Sequence, residues 1–218
     1  MANKNQKKVD TTVQEVDAAM SKTELWLEKN QKNIMYALIA LVVVVAAVWG
    51  YMKYNESQNN AAENEIYSAQ FLFDEGDYEQ ALEGFEAVID QFGGTNAGNL
   101  AKAYAGLCQK NLGNIDAAIS RLESYSGNDN VIAPAILCAL GDCYVAADKN
   151  VEAAKVFEKA AKAANNAEFT PLYLKKAALA YKAAGDNASA LAAFQNIRDN
   201  WFETSLGQNA DKYIESLK

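Results

Sequence analysis

One ten-residue figure, repeated four times at a nearly fixed interval, limits what this chain can fold into. The copies run from Gly76 to Phe85, Gly113 to Leu122, Asp148 to Phe157 and Gly185 to Phe194. Each opens on a turn-forming residue, carries an alanine five places later (Ala81, Ala118, Ala153, Ala190) and ends on a large apolar residue nine places later. The turn positions lie 37, 35 and 37 residues apart. That is the length of a helix–turn–helix unit, which buries its apolar face only by stacking against a neighbour. With 2 prolines among 218 residues, and alanine, leucine, glutamate and lysine abundant, the expectation is an all-α chain dominated by a helical-repeat superhelix. Such arrays bind other chains far more often than they carry out chemistry.

A second feature sets the array's surroundings. Ile34–Met52 is a run of 19 uncharged, mostly apolar residues. As a helix it spans roughly 28 Å, about the hydrocarbon thickness of a bilayer. Tyr36 stands near one end and Trp49, Tyr51 and Tyr54 near the other, where interfacial aromatic belts occur. Val45-Ala46-Ala47 loosely fits a signal cleavage site. The long preceding region and the continuation through Met52 favour an uncleaved single-pass anchor. Lys22, Lys29 and Lys32 precede the run closely, whereas only Lys53 follows it before Lys102. The positive-inside rule then leaves the N-terminus in the cytoplasm and the repeats across the membrane.

The arm before this run divides in two. Residues 1–12 are polar and lysine-rich and are expected to be irregular. Helical periodicity begins at Val13, Val16 and Met20, and Ser21 and Thr23 with Glu24 suit the start of a short helix. Leu25, Trp26 and Leu27 then mark either an interfacial helix touching headgroups or a membrane partner, or a plain extension of the span.

Charge and residue usage exclude several function classes. Residues 53–218 carry 14 basic and 23 acidic groups, a surface unsuited to a phosphate backbone, so no nucleic-acid partner is expected. There is no histidine, which removes the commonest general base and metal ligand. The sequence contains no phosphate loop, nucleophile elbow or paired metal ligands; Gly93-Gly94-Thr95-Asn96-Ala97-Gly98 lacks the required lysine and reads as a turn. No catalysis, cofactor, metal or small-molecule substrate is expected. Cys108 and Cys143 each lie five residues before a turn position, in slots filled by Phe71 and Ala180 elsewhere. Equivalent slots in stacked units stand too far apart for a disulfide, and Cys138 does not face Cys143 on one helix, so three free thiols are expected.

These residues resemble tetratricopeptide (TPR) repeats. Beyond the alanine and the bulky residue, the family places a small residue seven before the turn, matched by Ala69, Gly106, Gly141 and Ala178. Its tyrosine four before the turn is matched by Tyr144 and Tyr181, while Leu72 and Gln109 depart. Small residues fit where two helices cross closely, and the large ring fills the gap to the next repeat. Pro134 and Pro171, each fourteen before a turn position, mark helix starts, with Thr170 as a cap. Gly93-Gly94 and Ser126-Gly127-Asn128 separate repeats, and Asp148 must tolerate the left-handed backbone a glycine would take. The expected order is an arm over 1–33, a span over 34–52, and a helical extension or hinge over 53–60. Four repeats over 61–205 and a single capping helix over 206–218 complete it.

The resemblance implies a concave face lined by the first helix of each repeat. In this register it contains Ile66, Gln70 and Phe73, then Ala103, Leu107 and Lys110, then Cys138, Asp142 and Val145, then Lys175, Leu179 and Lys182. Gln70, Leu107, Asp142 and Leu179 occupy the slot where carboxylate-clamping members carry asparagine. The departure argues against a chaperone-tail clamp and for an extended or helical protein segment as occupant.

The whole plan resembles the bacterial ancillary subunit of the Sec translocon. That resemblance implies an inner-membrane protein with periplasmic repeats, partnered by translocon subunits, secreted chains or periplasmic chaperones. An envelope-assembly or cell-division scaffold, or a purely structural spacer, shares the same plan.

Overall fold

The computed structural model describes the backbone of residues 3–217 and the side chains of residue 24 and residues 26–217. Among the described residues all regular structure is helical. Helix α1 runs Asn3–Asp74 and is followed by α2 (Tyr78–Phe92), α3 (Asn96–Asn111), α4 (Ile115–Glu123), α5 (Ile132–Ala146), α6 (Asn150–Ala164), α7 (Thr170–Ala183), α8 (Asn187–Asn200), α9 (Ser205–Gln208) and α10 (Ala210–Glu215). The chain divides into two compact units, one reaching Asn55 and one starting at Glu56.

In the first unit, α1 is helical from Asn3, where an irregular stretch over residues 1–12 and a fresh helix start at Ser21 or Thr23 were expected. No glycine or proline interrupts the sequence between Asn3 and Trp49, and its lysines, glutamines, glutamates and alanines are good helix formers. From Met35 to Met52 every residue is exposed, with none of its valines, leucines or aromatics covered by protein. This stretch is a candidate membrane span, apolar on all sides. Residues 53–60 continue the helix.

The second unit is a stack of helix pairs: the last part of α1 with α2, α3 with α4, α5 with α6, and α7 with α8. Each pair turns on a residue in the left-handed region, Gly76 (φ 84°), Gly113 (φ 81°), Asp148 (φ 57°) and Gly185 (φ 79°). The turns share one hydrogen-bond pattern. At the first, the Gly76 amide donates to the Phe73 carbonyl at 3.1 Å and the Asp77 amide to the Leu72 carbonyl at 2.9 Å. These bonds satisfy carbonyls that the ending helix leaves free. Asp77 and Asp186 then cap the following helices, each accepting a backbone amide three residues on.

The residues around the turn lock each pair. Ala81, Ala118, Ala153 and Ala190 are fully buried, as are Phe85, Leu122, Phe157 and Phe194 to within 2%. A Cβ built on Gly106 would lie 2.7 Å from Cγ of Leu122, and one on Gly141 would lie 2.5 Å from Cε1 of Phe157. The small residue seven before the turn therefore sits directly against the large one nine after it. The same large residue also reaches the next unit: Phe85 stacks on Tyr104 at 5.0 Å, and the Lys176 ammonium stands 5.4 Å from the Phe157 ring centre.

A second tie joins successive pairs. The Tyr144 hydroxyl donates to Glu123, and the Tyr181 hydroxyl donates to Glu158 at 3.0 Å. These tyrosines lie four before their turns, and both glutamates lie ten after the preceding ones. Gln109 stands where the tyrosine is missing, and the corresponding Glu86 instead accepts from Arg121 at 2.5 Å.

Two details differ from expectation. Thr170 is the first residue of α7 and not its cap; its hydroxyl donates to the Ala161 carbonyl at 3.2 Å and accepts from the Asn166 amide, tying the loop to α6. The C-terminal cap is two short helices, broken at Asn209, whose side-chain amide donates to the Ser205 carbonyl at 2.7 Å. Gly207 permits the close approach of the preceding loop, because a Cβ there would lie 2.1 Å from the Trp201 carbonyl oxygen.

Candidate protein-binding face

The first helices of the last three repeats bring together a row of charges. The Asp142 carboxylate on α5 accepts from the Lys176 ammonium on α7 at 2.7 and 2.9 Å and lies 3.8 Å from Lys110 on α3. All three side chains are about one-third exposed, so the row is reachable from solvent. Burial works against the Lys176 ammonium, but the Asp142 carboxylate and the Cys138 thiol together outweigh it and hold the lysine above its ordinary range. The half-buried Cys138 lies beside this row, and burial pushes its thiol up despite the nearby Lys176.

The sequence-selected residues divide by accessibility. Ile66 and Ala103 are in the core and offer nothing to a partner. Ile66 belongs to the cluster formed with Ala62, Phe85 and Val88, because the helix pair crosses at that height. Phe73 is half-buried with its edge against Tyr78 and Tyr104. Leu107 packs partly into the next cluster, and Gln70 is half-buried. Val145 and Leu179 are open to solvent. Lys175 and Lys182 are committed to the C-terminal cap: one ammonium stands 5.1 Å from the Tyr213 ring centre and the other donates to the Ser216 carbonyl at 3.5 Å. Trp26 and Leu27 are exposed on α1, while the Leu25 side chain lies outside the described residues.

Lys176 is the residue that sequence reading missed. Its signal was the register, nine before the turn, where the side chain meets the large residue of the preceding repeat, as Tyr104 does. Among the described residues no group of three metal-ligating side chains converges, and no buried side-chain polar atom lacks a hydrogen-bond partner. Cys108, Cys138 and Cys143 are free thiols.

No family model matches the sequence, and no curated protein matches it. Solved structures do match. The nearly identical TPR-like repeats of a protein described as a kinesin light chain, from Podosopora anserina, superpose with a TM-score of 0.57 at 14% identity, covering 73% of this chain and 86% of that one. A second crystal structure, of a variant of the same repeats, gives a TM-score of 0.57 at 14% identity, covering 73% of this chain and 85% of that one. The fold is a TPR-like helical repeat. TPR-like arrays generally bind protein partners, and the row Lys110–Asp142–Lys176 lies on the face made by the first helix of each repeat.

Proposed function

We propose that this chain is a non-enzymatic, membrane-anchored scaffold that holds a protein segment against the first-helix face of its TPR-like array. The observation carrying this reading is the charge of that face within an acidic domain. Lys110 and Lys176 stand there about the Asp142 carboxylate, with Lys175 and Lys182, on the same helix as Lys176, engaged by the C-terminal cap. Open apolar surface at Val145 and Leu179 lies among them. A segment combining acidic and apolar side chains complements such a surface. Asp142 occupies the place such an acid would take, so a bound segment exchanges one carboxylate for another.

The finer reading is an accessory subunit of the bacterial Sec translocon, anchored by Ile34–Met52 with its N-terminus in the cytoplasm and its repeats in the periplasm. The element order, the single span and the repeat number support it. Cross-linking in the native membrane, followed by mild-detergent purification of the intact protein, tests it. Stoichiometric recovery of translocon subunits is expected, and the charge-reversing Lys176→Glu variant is expected to lose partners held by the array. Recovery of cell-division or wall-building proteins with no channel subunit overturns the translocon assignment.

A further inference from the structure

The two long edges of the array differ in chemistry. One edge is made by the turns within repeats, residues 74–77, 112–114, 147–149 and 184–186, and carries Asp74, Glu75, Asp77, Asp148, Lys149 and Asp186 with no aromatic residue. The other is made by the loops between repeats and the helix starts that follow them. It exposes Val131 (72%), Ile132, Phe169, Leu172 and Phe202 (67%). Half-buried Tyr125 and Trp201 belong to the same loops. These loops are braced by their own bonds. Asp129 accepts the amides of Val131 at 2.9 Å and Ile132 at 2.5 Å, and Asn166 accepts those of Glu168 at 3.1 Å and Phe169 at 2.8 Å. Apolar side chains are therefore exposed on loops braced by their own hydrogen bonds, at a cost in exposed surface that the fold itself does not require.

The start of this edge is tied to the chain just beyond the apolar run. The Asn59 side-chain oxygen accepts the Ala97 amide at 3.1 Å, at the first turn of α3. The next loop is bonded on in turn, with the Ser126 amide and hydroxyl donating to the Asn99 side chain at 3.1 and 3.2 Å. Met52 is the last residue of the apolar run, so even a fully extended link to Asn59 measures at most about 25 Å. A surface in which Ile34–Met52 is embedded is thus presented to this edge at high effective concentration.

We infer that the inter-repeat edge, through Val131, Ile132, Phe169, Leu172 and Phe202, docks on the lipid surface that holds the Ile34–Met52 span. This rests on the membrane-anchored reading above. The lipid chemistry follows from the charges. Residues 124–132, 165–172 and 201–206 contain Asp129, Glu168 and Glu203 but no lysine or arginine, so contact is made by inserting aromatic and aliphatic side chains among zwitterionic headgroups.

The test uses full-length protein reconstituted into phosphatidylcholine vesicles with brominated acyl chains, which quench tryptophan emission only at close range. Trp26 is replaced by phenylalanine throughout. The span reporter retains Trp49 and carries Trp201→Phe. The edge reporter carries Trp49→Phe, Trp201→Phe and Phe202→Trp. The control carries Trp49→Phe, Trp201→Phe and Glu75→Trp, on the opposite edge. Expected is loss of emission from Trp49 and from the Phe202→Trp protein, with the Glu75→Trp protein unchanged. Quenching of Trp49 with the Phe202→Trp protein as bright as the control overturns the docking edge and leaves the span intact. An unquenched Trp49 overturns both. If Phe202→Trp is bright in pure lipid yet shielded from a soluble quencher in native membranes, the edge serves a protein and the lipid assignment fails.

Discussion

Phe71, Cys108, Cys143 and Ala180 hold the same position, five residues before a turn, yet their surroundings differ. Phe71 is 64% exposed, whereas Cys108 and Cys143 are fully buried and Ala180 nearly so. The most apolar of the four side chains is the one left in water. The cause is cover: α2, α4 and α6 lie over the later positions, and no second helix of an earlier pair lies over α1 in the Glu56–Lys218 unit. Tyr67 tells the same story beside Tyr104, which has Phe85 stacked on it. Asn60, Asn64 and Ser68 fill the rest of that open face, a polar finish of the kind that terminal repeats carry. Burial in this fold is conferred by the neighbouring unit and not by residue type.

The comparison is broken most severely at a covered ring. Phe157→Ala should lower the unfolding free energy by about 3–5 kcal/mol in urea titration, because the ring is buried both within its pair and against Lys176. Next comes Gly141→Ala, whose methyl meets that same ring; overpacking of about 1–3 kcal/mol is expected by the same titration. At the turns, Gly113→Ala should cost about 1–2 kcal/mol, while Asp148→Gly should be neutral or stabilising, since of the four turn positions within pairs this one places a side chain in the left-handed region. Thermal scans of both variants side by side measure the opposite signs.

Alkaline pH sharpens the same contrast. Burial pushes the Cys108 thiol from 9.0 to about 11, and the Tyr144 hydroxyl, bonded to Glu123 and partly buried, rises from 10.0 to about 12. Both groups ionise more readily when unfolded, so the stability they contribute is complete below pH 9 and is lost between about pH 9 and 12. Cys108→Ala should flatten the first part of that decline in a pH series of melting curves. The smallest effect belongs to the uncovered slot: Phe71→Ala should change stability by no more than about 0.5 kcal/mol.

Much of this fold was legible because it is local. A turn residue, an alanine and a large side chain at fixed spacing specify one pair, and Gly106 and Gly141 announce the close crossings without further information. Asp148 was legible as a left-handed residue for the same reason. What escaped depends on how pairs stack. Ile66 looked like part of an open face, yet its height on α1 puts it between helices. The pairing of Asp142 with Lys176 joins α5 to α7 through the pitch of the stack, which no single repeat encodes. The close approach of the Trp201 carbonyl to Gly207 is again a contact between elements. The continuity of α1 was hidden by a different cause: polar composition was read as irregularity where nothing in the sequence stops a helix.

The bond between Asn59 and the Ala97 amide also fixes where the two halves of this protein can be parted. Asn59 lies outside the stretch that the repeat pattern marks out, yet it finishes the first turn of α3. A soluble fragment cut to the repeat boundary at residue 61 would leave that helix start without its partner, and would be judged less robust than the natural array. A fragment opening at Glu56, just past the apolar run, keeps the bond and is the sound point of incision.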